Sequence, residues 1–174
     1  LSLAARPVPA KTWAMSDPRP ETELRLAAPD DTARLGRWLA GCLQPGDTVL
    51  LQGPIGSGKS HLARSVIQSW LGQMEDVPSP TYTLVQTYGE GDAEIWHADL
   101  YRLSHPDEVI ELGLDDAFGR AICLVEWPER LGRATPDSAL RLTFSQDGEG
   151  RRVLLTGSAE WAERLSQIGG YARA

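Results

Sequence analysis

A chain of 174 residues with 41% apolar and 24% charged positions is long enough to bury a core without metal or disulfide staples, and its seventeen glycines and twelve prolines stay well under the low-complexity share. Its formal charge of −7 excludes the broad basic field of an autonomous nucleic-acid or anionic-membrane binder, so any nucleic acid would be held chiefly by another molecule. No apolar stretch approaches the ~18 residues needed to cross a bilayer, and Cys42 and Cys123 lie in apolar runs without metal-ligand spacing, which predicts buried thiols in a reducing cytoplasm.

The first sixteen residues hold Arg6 and Lys11 but no acid, and Pro7, Pro9, Pro18 and Pro20 punctuate the start, which predicts a tail. No apolar run of about seven residues follows the basic ones, so the tail does not read as a cleaved leader, and Met15 offers an internal start. Thr22–Ala27 reads as a strand. Asp30 or Asp31 then caps a helix whose Leu35, Trp38, Leu39, Cys42 and Leu43 recur at helical spacing. Pro45-Gly46-Asp47 turns the chain into Thr48–Gln52, a near-continuous apolar run suited to a strand buried on both faces. A glycine-rich loop follows, and His61–Leu71 reads as the next helix.

Beyond Pro78 and Pro80, Tyr82–Tyr88 and Glu94–Ala98 are β-rich segments joined by Gly89-Glu90-Gly91-Asp92, a hairpin signal. Ser104, Pro106 and Asp107 resemble the start of a helix running through Val109, Ile110 and Leu112, with a second short helix over Leu114–Phe118. Ala121–Val125 is a buried-strand run ending in Glu126. Leu140, Leu142 and Phe144 alternate with Arg141 and Thr143 before a turn at Asp147-Gly148, with residues 151–156 as the returning strand. Trp161, Leu165 and Ile168 mark a closing amphipathic helix.

Gly53-Pro54-Ile55-Gly56-Ser57-Gly58-Lys59-Ser60 fits G-x-x-x-x-G-K-[ST], the phosphate-binding P-loop. Several backbone N–H groups must converge on phosphate oxygens, which requires glycine's freedom at φ > 0, and the following helix N-terminus favours anions. Lys59 is placed to reach the β- and γ-phosphates and Ser60 to join a Mg²⁺ shell. Fifteen of the seventeen basic residues are arginine, so a lysine at this position points to a need for a compact charge. The strand-end carboxylates Glu126 and Asp99 are candidate catalytic partners, Glu126 the better for Mg²⁺ because it closes an apolar strand. His97 reads as a packed or hydrogen-bonded strand histidine and His105 as a helix-end residue. Asp116-Ala117-Phe118-Gly119 matches D-x-x-G, but no N-K-x-D follows, which favours ATP over GTP. The predicted fold is α/β, a P-loop NTPase of three layers with a mixed central sheet, antiparallel hairpins included, flanked by helices. Residues 21–168 form its single domain, 1–20 an N-terminal tail and 169–174 a C-terminal one.

Behind the P-loop come, in order, Ser79-Pro80-Thr81-Tyr82-Thr83-Leu84-Val85, His97-Ala98-Asp99-Leu100-Tyr101-Arg102-Leu103, Glu111-Leu112-Gly113 and Val125-Glu126-Trp127-Pro128-Glu129-Arg130. From about Ala28 to Arg133 this combination closely resembles the bacterial TsaE family, ATPases of tRNA threonylcarbamoyladenosine biosynthesis. The resemblance implies a Mg²⁺-dependent ATPase, slow and partner-stimulated, that works with the TsaD and TsaB proteins and resets them between turnovers, touching tRNA only indirectly. It further implies phosphate binding by Gly53, Gly56, Ser57, Gly58, Lys59 and Ser60, a place for His61 in the nucleotide site, Mg²⁺ binding by Ser60 and Glu126, and action of Asp99 near the γ-phosphate. Ser79, Thr81 and Thr83 would belong to a switch that senses nucleotide and partner, and Thr32 would lie near the nucleotide. The family loop commonly reads G-A-G-K-T-T, so His61 stands where a second hydroxyl is usual. Two other readings use the same loop: a small-molecule kinase, with Arg102, Arg130 and Arg133 as acceptor charges, and a non-catalytic ATP-dependent binding module.

Overall fold

Thr48–Gln52 (β2) and Ile122–Glu126 (β5) are apolar on both sides because both sides are covered, and they pair in parallel at the middle of the sheet, Thr48 opposite Cys123 through Leu51 opposite Glu126. The computed structural model describes residues 19–74 and 76–169. Around these two strands lie Glu21–Leu26 (β1), Pro29–Cys42 (α1), Lys59–Leu71 (α2), Val85–Tyr88 (β3), Ile95–Asp99 (β4), Glu108–Glu111 (α3) and Leu114–Ala117 (α4). The chain continues through Leu140–Asp147 (β6), Gly150–Thr156 (β7) and Trp161–Ser166 (α5). The strand order is β1-β7-β6-β2-β5-β4-β3. The four central strands β6, β2, β5 and β4 run parallel, while β3 on one side and β7 and β1 on the other are antiparallel additions. The sheet is therefore mixed, as expected.

Strand alternation divides the core in two. Val49, Leu51, Ile122 and Leu124 face Leu35 and Leu39 of α1, Leu62 and Val66 of α2, and Trp161 and Leu165 of α5. Leu50, Cys123 and Val125 face Val109 of α3, Leu114 and Ala117 of α4, and Leu131 of the 3₁₀ segment Pro128–Ala134. Each fully buried leucine or valine contributes about 1.5–3 kcal/mol relative to exposure. The three-layer architecture follows from this double burial.

Several element boundaries differ from expectation for local reasons. Only Val85–Tyr88 of the predicted strand Tyr82–Tyr88 pairs with β4. Thr81–Thr83 form a turn closed by the Leu84 N–H donating to the Pro80 carbonyl at 2.7 Å, with Leu84 in the left-handed region at φ 64°. The N-cap of α1 is Ala28, not an aspartate; Asp31 sits in the first turn, where its carboxylate accepts from the Ala27 and Ala28 N–H groups at 2.9 and 3.1 Å. Before α3, Glu108 rather than Ser104 or Asp107 gathers the free donors, accepting from the Ser104 and His105 N–H groups at 3.1 and 2.8 Å. The helix through Leu112 shortens to a single turn. Ile168 is buried just beyond α5. The expected tails fall almost wholly outside the described residues, and among those described no helix is long and apolar enough to cross a membrane.

Candidate functional site

The loop Gly53–Gly58 joins β2 to α2 and wraps the end of the central sheet. Gly58 is the N-cap of α2 at φ 102°, a left-handed geometry that turns the following N–H groups toward the loop's centre. Gly53 permits a close approach: a Cβ there would stand 2.9 Å from both Cβ and the carbonyl oxygen of Phe144. Lys59 folds back over the loop, its Nζ donating to the Gly53 and Pro54 carbonyls at 2.7 and 2.8 Å and lying 4.5 Å from the Trp127 ring centroid. Burial pulls its ammonium below the usual lysine range, with the charges of Glu126, Asp99 and Glu129 opposing that shift. The amine is thus a desolvated cation held by carbonyl dipoles, a contact set that phosphate oxygens can replace.

The two strand-end carboxylates stand side by side, since Asp99 on β4 is the register partner of Glu126 on β5. Glu126 is 2% exposed and engaged at both oxygens: the Ser60 hydroxyl donates to Oε2 at 2.9 Å, and His97 Nε2 lies 2.8 Å from Oε1. Asp99 is more loosely held. Its Oδ1 accepts from the Tyr101 N–H at 3.0 Å, whereas the Ser79 and Thr81 hydroxyls lie 3.4 and 3.5 Å from Oδ2. Trp127, immediately after Glu126, takes the left-handed backbone at φ 59°, rare for a bulky residue, and packs against Tyr101 in a tilted arrangement, 4.9 Å between ring centroids. Its N–H reaches the Leu51 carbonyl at 3.3 Å, tying the β5 exit to β2 beside the loop.

A cavity of about 220 Å³ opens on the other flank of the loop, lined by Ala27, Ala28 and Thr32 of the β1–α1 corner, by Gly56, Ser57, Gly58 and His61, and by Glu149 and Arg151 of the β6–β7 hairpin. Thr32 is 5% exposed. His61 Nε2 lies 3.1 Å from the Pro29 carbonyl, and Arg151 donates to the Gly56 carbonyl at 3.1 Å.

The structure therefore gathers Lys59, Ser60, Asp99 and Glu126 at one point, with Ser79 and Thr81 on Asp99 and with Thr32 and His61 in the adjoining cavity; Thr83 is exposed on the turn. Three contributors were given no site role from sequence: His97, read only as a packed or hydrogen-bonded strand histidine, Trp127 and Arg151. His97 stood two residues before Asp99 in a buried strand, hence on the same sheet face, which was the available signal. Arg151 carried none, because its contact with Gly56 spans 95 positions. Among the described residues no group of three or more His, Cys, Asp or Glu is placed to hold a metal. The Ser60–Glu126 pair instead offers two hard oxygens beside a phosphate loop, a donor set that fits Mg²⁺, which keeps most of its shell for water and phosphate.

The sequence model of the family described as "Threonylcarbamoyl adenosine biosynthesis protein TsaE" matches residues 26–154. The chain is 35% identical to the tRNA threonylcarbamoyladenosine biosynthesis protein TsaE of Rickettsia felis over 75% of this chain and 78% of that protein. It is 33% identical to the Bacillus subtilis protein of the same description, over 75% and 81% of the two chains. The fold superposes on the crystal structure of Bacillus subtilis YdiB with a TM-score of 0.72 and 26% identity, covering 89% of this chain and 96% of that one. Loop, strand-end carboxylates, fold and sequence agree: the chain belongs to the TsaE family and has its P-loop NTPase fold.

Proposed function

We propose that this protein binds ATP with Mg²⁺ in the Gly53–Ser60 loop and hydrolyses it slowly, as a cytoplasmic accessory of tRNA threonylcarbamoyladenosine biosynthesis that resets TsaD and TsaB between turnovers. The observation that carries this reading is the convergence of Lys59 and the hydrogen-bonded Ser60–Glu126 pair at the end of β2. In it, the loop's N–H groups and Lys59 cradle the phosphates, and Lys59 exchanges its two carbonyl contacts for phosphate oxygens. Ser60 and Glu126 hold Mg²⁺, which supplies neutralisation of phosphate charge. Asp99 has an oxygen with only long contacts to Ser79 and Thr81, so it is free to orient a water near the γ-phosphate. That same weak contact makes residues 79–83 a segment that nucleotide can reorder, the route by which a partner would read the bound state. The cavity beside Thr32, His61 and Arg151 would take the purine.

A charge of −7 suits a helper that docks on protein and leaves the tRNA's phosphate field to others. The single P-loop domain is assigned residues 21–168. A reconstituted reaction of TsaD, TsaB and tRNA tests the reading. With Asp99→Asn that still binds ATP, one round of modification is expected and repeated rounds are not. Repeated rounds at the unsubstituted rate would leave ATP binding, without hydrolysis, as the function.

A further inference from the structure

We infer that His97 is a positioning residue for Glu126: its imidazole donates from Nε2 to Oε1 and thereby fixes the carboxylate so that Oε2 faces Ser60 and the metal position. The inference rests on the reading of Glu126 as a Mg²⁺ holder. Its own basis is geometric.

His97 is 1% exposed and Glu126 is 2% exposed, and they meet at 2.8 Å across the β4–β5 pair. In register His97 stands opposite Leu124, two positions before Glu126, so the contact is a cross-strand diagonal on the sheet face that also carries α2 and Ser60. The other ring nitrogen, Nδ1, is buried with no hydrogen-bond partner among the described residues. A second N–H pointing there would have no acceptor, so the hydrogen-bond network puts the single ring proton on Nε2, where a carboxylate oxygen receives it. The ring is then a fixed donor rather than a ligand.

Glu126 needs such a donor. A glutamate has three side-chain torsions, and Ser60 restrains only one of its oxygens. A Ser60 lone pair can turn toward a metal while its hydroxyl still donates to Oε2, so Ser60 holds one oxygen and His97, at Oε1, fixes the plane of the carboxylate. Donors that stand behind metal-binding carboxylates and imidazoles in this way typically change metal affinity about 10–100-fold when removed.

The test uses the full chain with Mn²⁺ as the probe metal and ADP as the nucleotide, reading Mn²⁺ affinity by electron paramagnetic resonance, metal-free ADP affinity in EDTA, and thermal melting. His97→Leu removes the donor at similar volume; His97→Gln returns an amide N–H near the Nε2 position, and His97→Asn is too short to reach. The Leu and Asn variants are expected to bind Mn²⁺ about tenfold or more weakly with ADP present, with metal-free ADP affinity unchanged, while Gln recovers most of the loss. If Leu does not fold, the Gln and Asn pair decides. Equal Mn²⁺ affinities for Gln and Asn, or wild-type affinity in Leu, overturn the positioning role. Glu126→Ala separates the two levels: a loss there with none in His97→Leu refutes only the inference about His97, whereas unchanged Mn²⁺ affinity in Glu126→Ala refutes the metal reading and the inference with it.

Discussion

Replacing each loop glycine with alanine ought to destabilise the protein by amounts the structure ranks in advance. Gly56 has φ +74° and nothing within 4 Å of an added Cβ, so Gly56→Ala meets only the left-handed penalty, about 1–2 kcal/mol. Gly58 is as unobstructed, with Phe144 Cε1 at 4.0 Å, but its φ of +102° lies farther into the left-handed region than side chains tolerate well, raising the cost to about 2–3 kcal/mol. Gly53→Ala adds sterics to strain: φ is +150° and the Cβ would stand 2.9 Å from a backbone oxygen that cannot swing aside. Strain and overpacking together give about 3–5 kcal/mol. At about 2–4 °C per kcal/mol for a chain of this size, the melting temperature should fall by roughly 2–8, 4–12 and 6–20 °C respectively. Thermal and urea unfolding of the three variants measure the order directly. A Gly53 variant as stable as the Gly56 variant would refute the Gly53–Phe144 approach and the loop conformation built on it.

Three further outcomes are expected. Because burial lowers the Lys59 ammonium from its usual 10.5 and bound phosphate holds the proton on, ATP affinity should stay level at neutral pH. It should then fall as pH rises through the free enzyme's Lys59 titration, below 10.5, and Lys59→Arg should remove that alkaline fall whatever affinity it retains; equal alkaline profiles would contradict this. Arg164 donates to Asp47 and to the Cys42 carbonyl at 3.4 Å and lies 4.4 Å over Trp161, pinning α5 to the α1–β2 corner. Arg164→Ala should therefore cost about 1–2 kcal/mol in urea unfolding and leave nucleotide affinity unchanged, a change in affinity pointing instead to coupling between α5 and the loop. Burial pushes the Cys42 thiol up to about 11 and Cys123 up to about 12, so neither should react with iodoacetamide at pH 8 until the protein is denatured; rapid native labelling of Cys123 would contradict the packing around β5.

What the sequence showed and what it withheld follow from the range of the interactions. The P-loop was legible because its spacing is local and chemically constrained, and β2 and β5 because double burial leaves uninterrupted apolar runs at Thr48–Gln52 and Ile122–Glu126. Residues 82–84 misled because their β-rich composition conceals a left-handed Leu84, which ends the extended chain before Val85. At the helix starts Asp31 was one of the two residues named, although it acts from the first turn and not as the N-cap, and Glu108 was missed; both accept from backbone N–H groups behind them, a contact that depends on how the preceding loop curls. Of the neighbours of Glu126, Ser60 was foreseen through a shared Mg²⁺ role, whereas His97 was given none. Ser60 is 66 positions away and His97 is 29, and only the placement of β5 between β2 and β4 brings them together.

The most direct measurement is Mg²⁺-dependent ATP hydrolysis by the purified protein, alone and with TsaD and TsaB, with Lys59→Ala as the blank. Slow turnover alone, stimulated by the partners and abolished in the blank, is the expected result. Turnover that ignores the partners, or none in their presence despite proven ATP binding, would contradict a nucleotide-driven helper of tRNA modification.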